Sequence, residues 1–478
     1  MKSVRWMMPL VMSVAACATS AGGTPRGTVR VQQTVVQHGG GGQEFTVAQG
    51  QWMQAAPLHT RLHVGADGQT YLGVWIDTPA APAGAVQRAP LDVALVVDTS
   101  GSMSGAKIHN ARLAAASFID GLAEGDIVSL YSFSSGVTEL APPTVVNADS
   151  RALLLQRVAG LYAAGGTNLY GGLQAAAGAA SQAPPTHPVR RVVMISDGRG
   201  NIGPSSAEEL GDLAARATEN GTQVTAIGVG LDYDESTLGA LAVRSAGRLY
   251  HLEEPQQMAA ILHDELELLG QTVASNAVIE LAPAPGVVFE GTDNLRVDQQ
   301  NGRLQIPLGS LHGAQHREIL VRVRVTTARS PGRQSLGVAR LAYDDPSARG
   351  TRRNQEVGLA VEHTADPAAQ TSSANERVVA MVTRYEAAQS QQRAARLINE
   401  GQAQAAEAEL ARAEQRLRST ATQYNFSDAR VQGQLLRQAE GVSRGRAATR
   451  RAISAPSPAS SRGASLQNNA DAMHSFGY

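Results

Sequence analysis

The chain is 478 residues long, room for about two to four domains, and at 43% hydrophobic residues it can bury real cores, which argues against wholesale disorder. Its one cysteine, Cys17, excludes a disulfide-stapled scaffold, a cysteine-ligated zinc site and a thiol redox pair within the chain. With 41 basic against 42 acidic residues and a net charge of −1, it has no global electrostatic claim on nucleic acid, and no nucleic-acid partner is expected.

Residues 1–17 read as a secretory signal. Lys2 and Arg5 form a charged start, and 6–16 is an apolar stretch of signal-peptide length, short of the about 20 residues of a transmembrane helix. Val14-Ala15-Ala16-Cys17 then resembles the lipobox of bacterial lipoproteins, in which the cysteine is lipidated and becomes the mature N-terminus. Ordinary cleavage at Ala16-Cys17-Ala18 also fits the small-x-small pattern; a lone thiol in a secreted chain favours lipidation of Cys17. Several acyl chains there would anchor the protein to the membrane, at about 0.8 kcal/mol per buried CH₂. Ala18 in place of Asp implies, by the sorting pattern of that family, the outer membrane of a two-membrane cell envelope.

Residues 18–43, rich in Gly, Gln and Thr and ending in glycines at 39–42, predict a flexible tether. An N-terminal β region follows over 44–89, with strands expected at 45–52, 58–64 and 71–77. Over 90–270 apolar runs of strand length (91–98, 126–134, 190–197, 223–230, 248–252) alternate with helical patterns (105–123, 149–160, 170–182, 206–219, 235–243, 256–269). Runs such as Val93-Ala94-Leu95-Val96-Val97 do not alternate, as in strands buried on both faces, and buried parallel strands need helical crossovers. The texture predicts a doubly wound, Rossmann-like α/β domain. Residues 275–365 revert to β, with strands at 277–281, 287–290, 303–307, 317–326, 335–343 and 357–363. Few strands before and more after suit a β-sandwich with the α/β domain inserted in it or flanked by it. A C-terminal α-helical region is expected over 375–450, broken at Gly401, and a disordered, Ser-, Ala- and Pro-rich tail over 452–478.

The strand at 91–98 ends in Asp98-Thr99-Ser100-Gly101-Ser102, a carboxylate followed by hydroxyls at alternate positions. Gly165-Gly166-Thr167 offers another hydroxyl on a loop that glycines let bend tightly, and Ile195-Ser196-Asp197-Gly198 puts a second carboxylate at a strand end. In a doubly wound sheet, ligand sites form outside these carboxyl ends. Two carboxylates and three hydroxyls, with no sulfur or imidazole, make a hard oxygen set suited to Mg²⁺ or Mn²⁺. The constellation resembles the D-x-S-x-S motif and its two companion loops in von Willebrand factor A domains, where they form a metal-ion-dependent adhesion site. Carried over, the resemblance makes Ser100, Ser102 and Thr167 hydroxyl ligands, with Asp98 and Asp197 binding directly or through water. It implies an open metal position for an acidic residue of a protein partner. The layout also resembles integrin headpieces, inter-α-trypsin inhibitor heavy chains and bacterial secreted A-domain proteins.

Other signals are weaker. Arg199 could steer an acidic ligand, but a solvated loop arginine is the simpler reading. Pairs His59/His63 and His312/His316 lack the glutamate of an H-E-x-x-H zinc site, and Asp232-x-Asp234 lacks the glycine and distal glutamate of a calcium loop. Neither a G-x-S-x-G elbow nor a P-loop lysine pattern occurs, so no enzyme activity is expected. Lys2 and Lys107 are the only lysines, and beside so many Ala and Gly the arginine excess reads as genome base composition. The leading expectation is a cell-envelope lipoprotein that binds a protein through a divalent cation. The alternative is an accessory or chaperone-like assembly factor docking through its C-terminal helices.

Overall fold

The computed structural model describes residues 51–65, 68–81, 88–231, 233–252, 254–292, 295–326, 328–348, 350–424 and 426–475. The signal segment with Cys17, the tether, and all but the last two residues of the strand expected at 45–52 lie outside the described residues, as does Asp232. Three strands come first, β1 (Met53–Pro57), β2 (Arg61–His63) and β3 (Gln69–Asp77). The α/β part then runs β4 (Leu91–Asp98), α1 (Ala106–Gly121), β5 (Ile127–Phe133), β6 (Val137–Val145), α2 (Ala148–Ala159), α3 (Leu169–Ser181) and β7 (Val189–Ser196). It continues with α4 (Ala207–Glu219), β8 (Thr222–Val229), α5 (Glu235–Arg244), β9 (Arg248–Leu252) and α6 (Met258–Gly270).

These strands form one sheet in the order β6-β5-β4-β7-β8-β9, parallel except for the antiparallel edge strand β6. Every residue of β4, β5 and β8 is buried, which is why their sequences do not alternate. Two apolar layers cover the sheet, one built on α1, α2 and α6, the other on α3, α4 and α5. Helix starts carry local caps: Asn147 with Ser150, and Ser206 with Glu209, form reciprocal capping boxes. Asp234, the described half of the Asp232-x-Asp234 pair, caps α5 by accepting from Ser236 and Thr237.

Strands β10 (Thr272–Pro283), β11 (Val287–Gly291), β12 (Asp298–Gln300), β13 (Arg303–His312), β14 (His316–Val325), β15 (Gly332–Asp345) and β16 (Thr351–Thr364) follow. They share two sheets with the N-terminal strands, β1-β3-β14-β11 and β12-β13-β10-β15-β16-β2. β3 pairs with β14 from Asp77 opposite His316 to Gln69 opposite Arg324, so strands far apart in sequence close one sandwich around a single apolar core. The α/β domain is inserted between β3 and β10.

The chain ends in α7 (Pro367–Ser372), α8 (Glu376–Asn399), α9 (Ala403–Gln423), α10 (Ala429–Ser454) and α11 (Pro458–Ser475). α8 packs on α9 and α11, and α10 packs on the same two, which closes a four-helix ring. The expectation of a disordered tail is thereby corrected, since 458–475 is helical and buries Ala464, Ser465, Leu466, Asn468, Ala472 and Met473. Small residues conceal this in the sequence. A Cβ at Gly445 would lie 2.3 Å from Asn468 Oδ1, so the glycine makes the notch into which α11 seats its asparagine. Among the described residues no helix is long and apolar enough to cross a membrane.

Candidate metal centre

Asp98, Ser100, Ser102, Thr167 and Asp197, the residues singled out from sequence, converge at the carboxyl ends of β4 and β7. Both carboxylates are fully buried, Ser100 and Thr167 nearly so, and Ser102 is exposed. After β4 the chain turns outward through a short 3₁₀ turn, Gly101–Met103, held down by the buried Met103 side chain. Gly105, at φ 75°, then starts α1.

The first loop is stitched to the second. Gly101 N–H donates to Gly165 O at 3.0 Å, and Ala164 N–H donates to Thr99 O at 2.7 Å. Gly165 sits at φ 82°, and a Cβ there would meet Ser135 Oγ at 2.8 Å, so this turn requires glycine. The second loop is stitched to the third: Asn201 Oδ1 accepts from Thr167 N–H at 2.8 Å, and Asn201 N–H returns a bond to Thr167 O at 3.0 Å. The bare Cα of Gly198 faces the hydroxyls; a Cβ there would lie 3.5 Å from Thr167 Oγ1 and 3.6 Å from Ser102 Oγ.

Asp98 is aimed by two donors, Ser100 N–H to Oδ1 at 2.8 Å and Ser196 Oγ to Oδ2 at 2.6 Å. Burial pushes its carboxyl above the usual range and the nearby Asp197 charge adds to that, against the pull of the Ser196 and Ser100 hydrogen bonds. A positive charge beside Asp98 would offset the cost of ionising it there. Ser102 Oγ donates to Asp197 Oδ1 at 2.7 Å and lies 3.0 Å from Ser100 Oγ, so the hydroxyls and carboxylates form one connected set. Among the described residues no cluster of three or more His, Cys, Asp and Glu side chains is placed to hold a metal. Any cation here therefore depends on the hydroxyls as well as the carboxylates, in keeping with a hard, oxygen-preferring divalent ion.

Sequence reasoning missed Ser196, Asn201 and, most consequentially, Lys107. The Lys107 ammonium, 22% exposed on the first turn of α1, bonds Asp197 Oδ2. Its signal was available, as one of two lysines in a chain whose cations are otherwise arginine. Arg199 is exposed on the loop beyond Asp197. The histidine pairs are engaged separately: His59 Nδ1 bonds Gln370 O, His312 is buried, and His316 lies between Asp77 and Glu318. Among the described residues neither pair belongs to a cluster of three or more His, Cys, Asp and Glu side chains placed to hold a metal.

Residues 92–264 match the family model of the von Willebrand factor type A domain. A protein of Synechocystis sp. known as uncharacterized protein sll0103 is 26% identical over 274 residues, covering 55% of this chain and 63% of that one. Human inter-alpha-trypsin inhibitor heavy chain H4 is 27% identical over 181 residues, or 37% of this chain and 20% of the relative. This chain thus spans less than two thirds of either relative. A solved structure, a von Willebrand factor type A protein from Catenulispora acidiphila, superposes with a TM-score of 0.71 over 88% of this chain and 96% of that one, at 18% identity. The chain carries an A-type domain in a Rossmann-like fold, set beside a β-sandwich and a helical C-terminal region.

Proposed function

We propose that this protein is a cell-envelope lipoprotein, lipidated at Cys17, whose A-type domain binds Mg²⁺ or Mn²⁺ and through it an acidic residue of a protein partner. The observation that carries the reading is the gathering of five oxygen-bearing side chains, two of them fully buried carboxylates, where three stitched loops meet. Asp98, Ser100, Ser102, Thr167 and Asp197 would hold the cation, which would supply a Lewis-acidic position for a carboxylate. The chain's own part is positional. Ser196 and Ser100 N–H fix the Asp98 oxygens, Ser102 fixes Asp197, and the loop-to-loop hydrogen bonds keep the hydroxyls pointed at one place. A-type domains are generally protein-binding modules, which supports a binding role in place of an enzymatic one. The C-terminal helices bury their apolar faces in their own ring, which favours the loop face over those helices as the partner surface.

Calorimetric titration of the full chain with Mg²⁺ and Mn²⁺, paired with thermal shift, tests the cation. Heat and a raised unfolding temperature are expected, and both should be lost in Asp98→Ala. Absence of heat and of any shift in the unaltered protein would remove the reading. A partner captured in Mg²⁺ should be released by EDTA, and Cys17→Ser should move the protein out of the membrane fraction.

A further inference from the structure

The Lys107 ammonium lies on a carboxylate of the metal site, where a cation and a lysine compete for the same negative charge. We propose that Lys107 sets the charge of the loaded site, trading cation affinity for affinity towards a partner's carboxylate; this rests on the cation reading above.

Asp98 and Asp197 contribute two negative charges, and Lys107 one positive. With a divalent cation bound, the ensemble carries one net positive charge, which a single carboxylate from a partner neutralises. Without Lys107 the loaded site would be neutral before the partner arrived, and a further carboxylate would leave it negative in a largely desolvated place. Lys107 therefore disfavours the cation and favours the anion. It is a positioning residue as well, because its bond to Oδ2 and the Ser102 bond to Oδ1 together fix the Asp197 carboxylate plane.

The surroundings suit lysine in a chain that otherwise uses arginine. Gly230, at φ 80°, borders the ammonium; a Cβ built there would lie 3.6 Å from Lys107 Cε and 3.7 Å from Nζ. The glycine is held in place by its N–H bond to Leu252 O at 2.7 Å. A compact point charge on a slim stem fits this slot between Gly230 and Asp197, whereas a guanidinium needs the width of a planar fork.

The test measures two affinities on the full chain. Mg²⁺ is titrated calorimetrically at fixed ionic strength. Sodium acetate is then titrated into the Mg²⁺-saturated protein, read by thermal shift against sodium chloride of equal ionic strength. In Lys107→Met, Mg²⁺ should bind roughly tenfold or more tighter and acetate weaker by a similar factor, as expected for removing one charge from beside a carboxylate. Lys107→Gln can still donate a hydrogen bond to Asp197, so if charge is the cause it should follow Lys107→Met in both affinities. It also serves if the methionine variant fails to fold. Lys107 acting only as a scaffold predicts weaker binding of both probes. Lys107 acting only as a competitor for the cation predicts tighter Mg²⁺ with acetate unchanged. Either outcome, or unchanged affinities in both variants, overturns the proposal. An unaltered protein that takes up no Mg²⁺ would instead remove the cation reading itself, together with this inference.

Discussion

Replacing Glu265 with alanine should unfold the A domain more readily than its single lost side chain suggests. Glu265 on α6 and Arg191 on β7 are each 1% exposed, so both charges sit in the interior. Glu265 Oε1 accepts from Thr225 Oγ1 at 2.6 Å and Oε2 from the Tyr250 hydroxyl at 2.9 Å, while Arg191 Nε stands 3.6 Å from Oε1. Burial by itself would raise the Glu265 carboxyl, but the Arg191 and Arg248 guanidiniums and the two hydroxyls overcome it and hold the group below the usual carboxylate range. Removing the carboxylate leaves Arg191 charged and buried, which costs about 3–5 kcal/mol, more than the net worth of the intact pair. At roughly 2–4 °C per kcal/mol for a domain of this size, the A-domain transition in scanning calorimetry should fall by about 6–20 °C. The double variant Arg191→Met/Glu265→Leu removes both charges and refills the volume, so it should recover most of the loss. A double variant no more stable than Glu265→Ala, or an alanine variant within about 1 kcal/mol of the original as for a surface pair, would refute the argument.

Stability should also depend on His316, whose ring bonds Asp77 at 2.7 Å and Glu318 at 3.0 Å, with Arg377 and Arg384 of α8 facing the same carboxylates. Burial alone would lower its pKa, yet these bonds and charges raise it, so its contribution is complete below the unfolded value near 6.5 and is lost as pH rises through the folded one. The unfolding temperature should therefore fall on going from pH 6 to pH 8, and a His316→Gln variant with an unchanged pH slope would count against this. Arg462 on α11 donates to Leu231 O at 3.1 Å, Tyr233 O at 2.8 Å and Glu235 Oε1 at 2.8 Å, and so fastens the last helix to the A domain. In Arg462→Ala, amide exchange over 458–475 should speed up by about tenfold or more, as for loss of a charged hydrogen bond of about 1.5–3 kcal/mol, and unchanged exchange would refute the fastening.

What could be read from the sequence was whatever local spacing determines. β4 and β7 declare themselves by the apolar runs 93–97 and 192–195, with Asp98 closing the first strand and Asp197 following the second, and a carboxylate at that edge of a parallel sheet has a fixed place. β6 did not, because Pro142 and Pro143 argue against a strand; they are tolerated because β6 is the sheet's exposed edge. α11 did not, because a helix that packs through Ala, Ser and Asn resembles a polar tail until its partner's Gly445 notch is known. Lys107 and Ser196 escaped for a related reason. Each acts on a carboxylate about 90 or more positions away, at |i−j| of 90 and 98, and no spacing rule along the chain encodes such a pairing.

The pair His312/His316, whose sequence lacks the glutamate of a zinc motif, brackets the joint between domains. The turn from β13 to β14 touches both connections of the inserted domain. On the incoming side Ala314 N–H donates to Pro79 O at 2.8 Å, and Thr78 Oγ1 accepts from Gln315 N–H at 2.8 Å. On the outgoing side Gly313 N–H donates to Gln271 O at 2.8 Å, one residue past the end of α6. Gly313 is a tight fit, since a Cβ there would lie 2.3 Å from Ala81 N. Gln223, buried at the foot of β8, adds a contact between domains by accepting from Ser310 N–H at 2.9 Å. The A domain is thus held to the sandwich at the amino ends of its strands, the edge opposite the oxygen cluster. Fixed main-chain groups set its orientation there, and the loops around Asp98, Thr167 and Asp197 are left facing away from the joint.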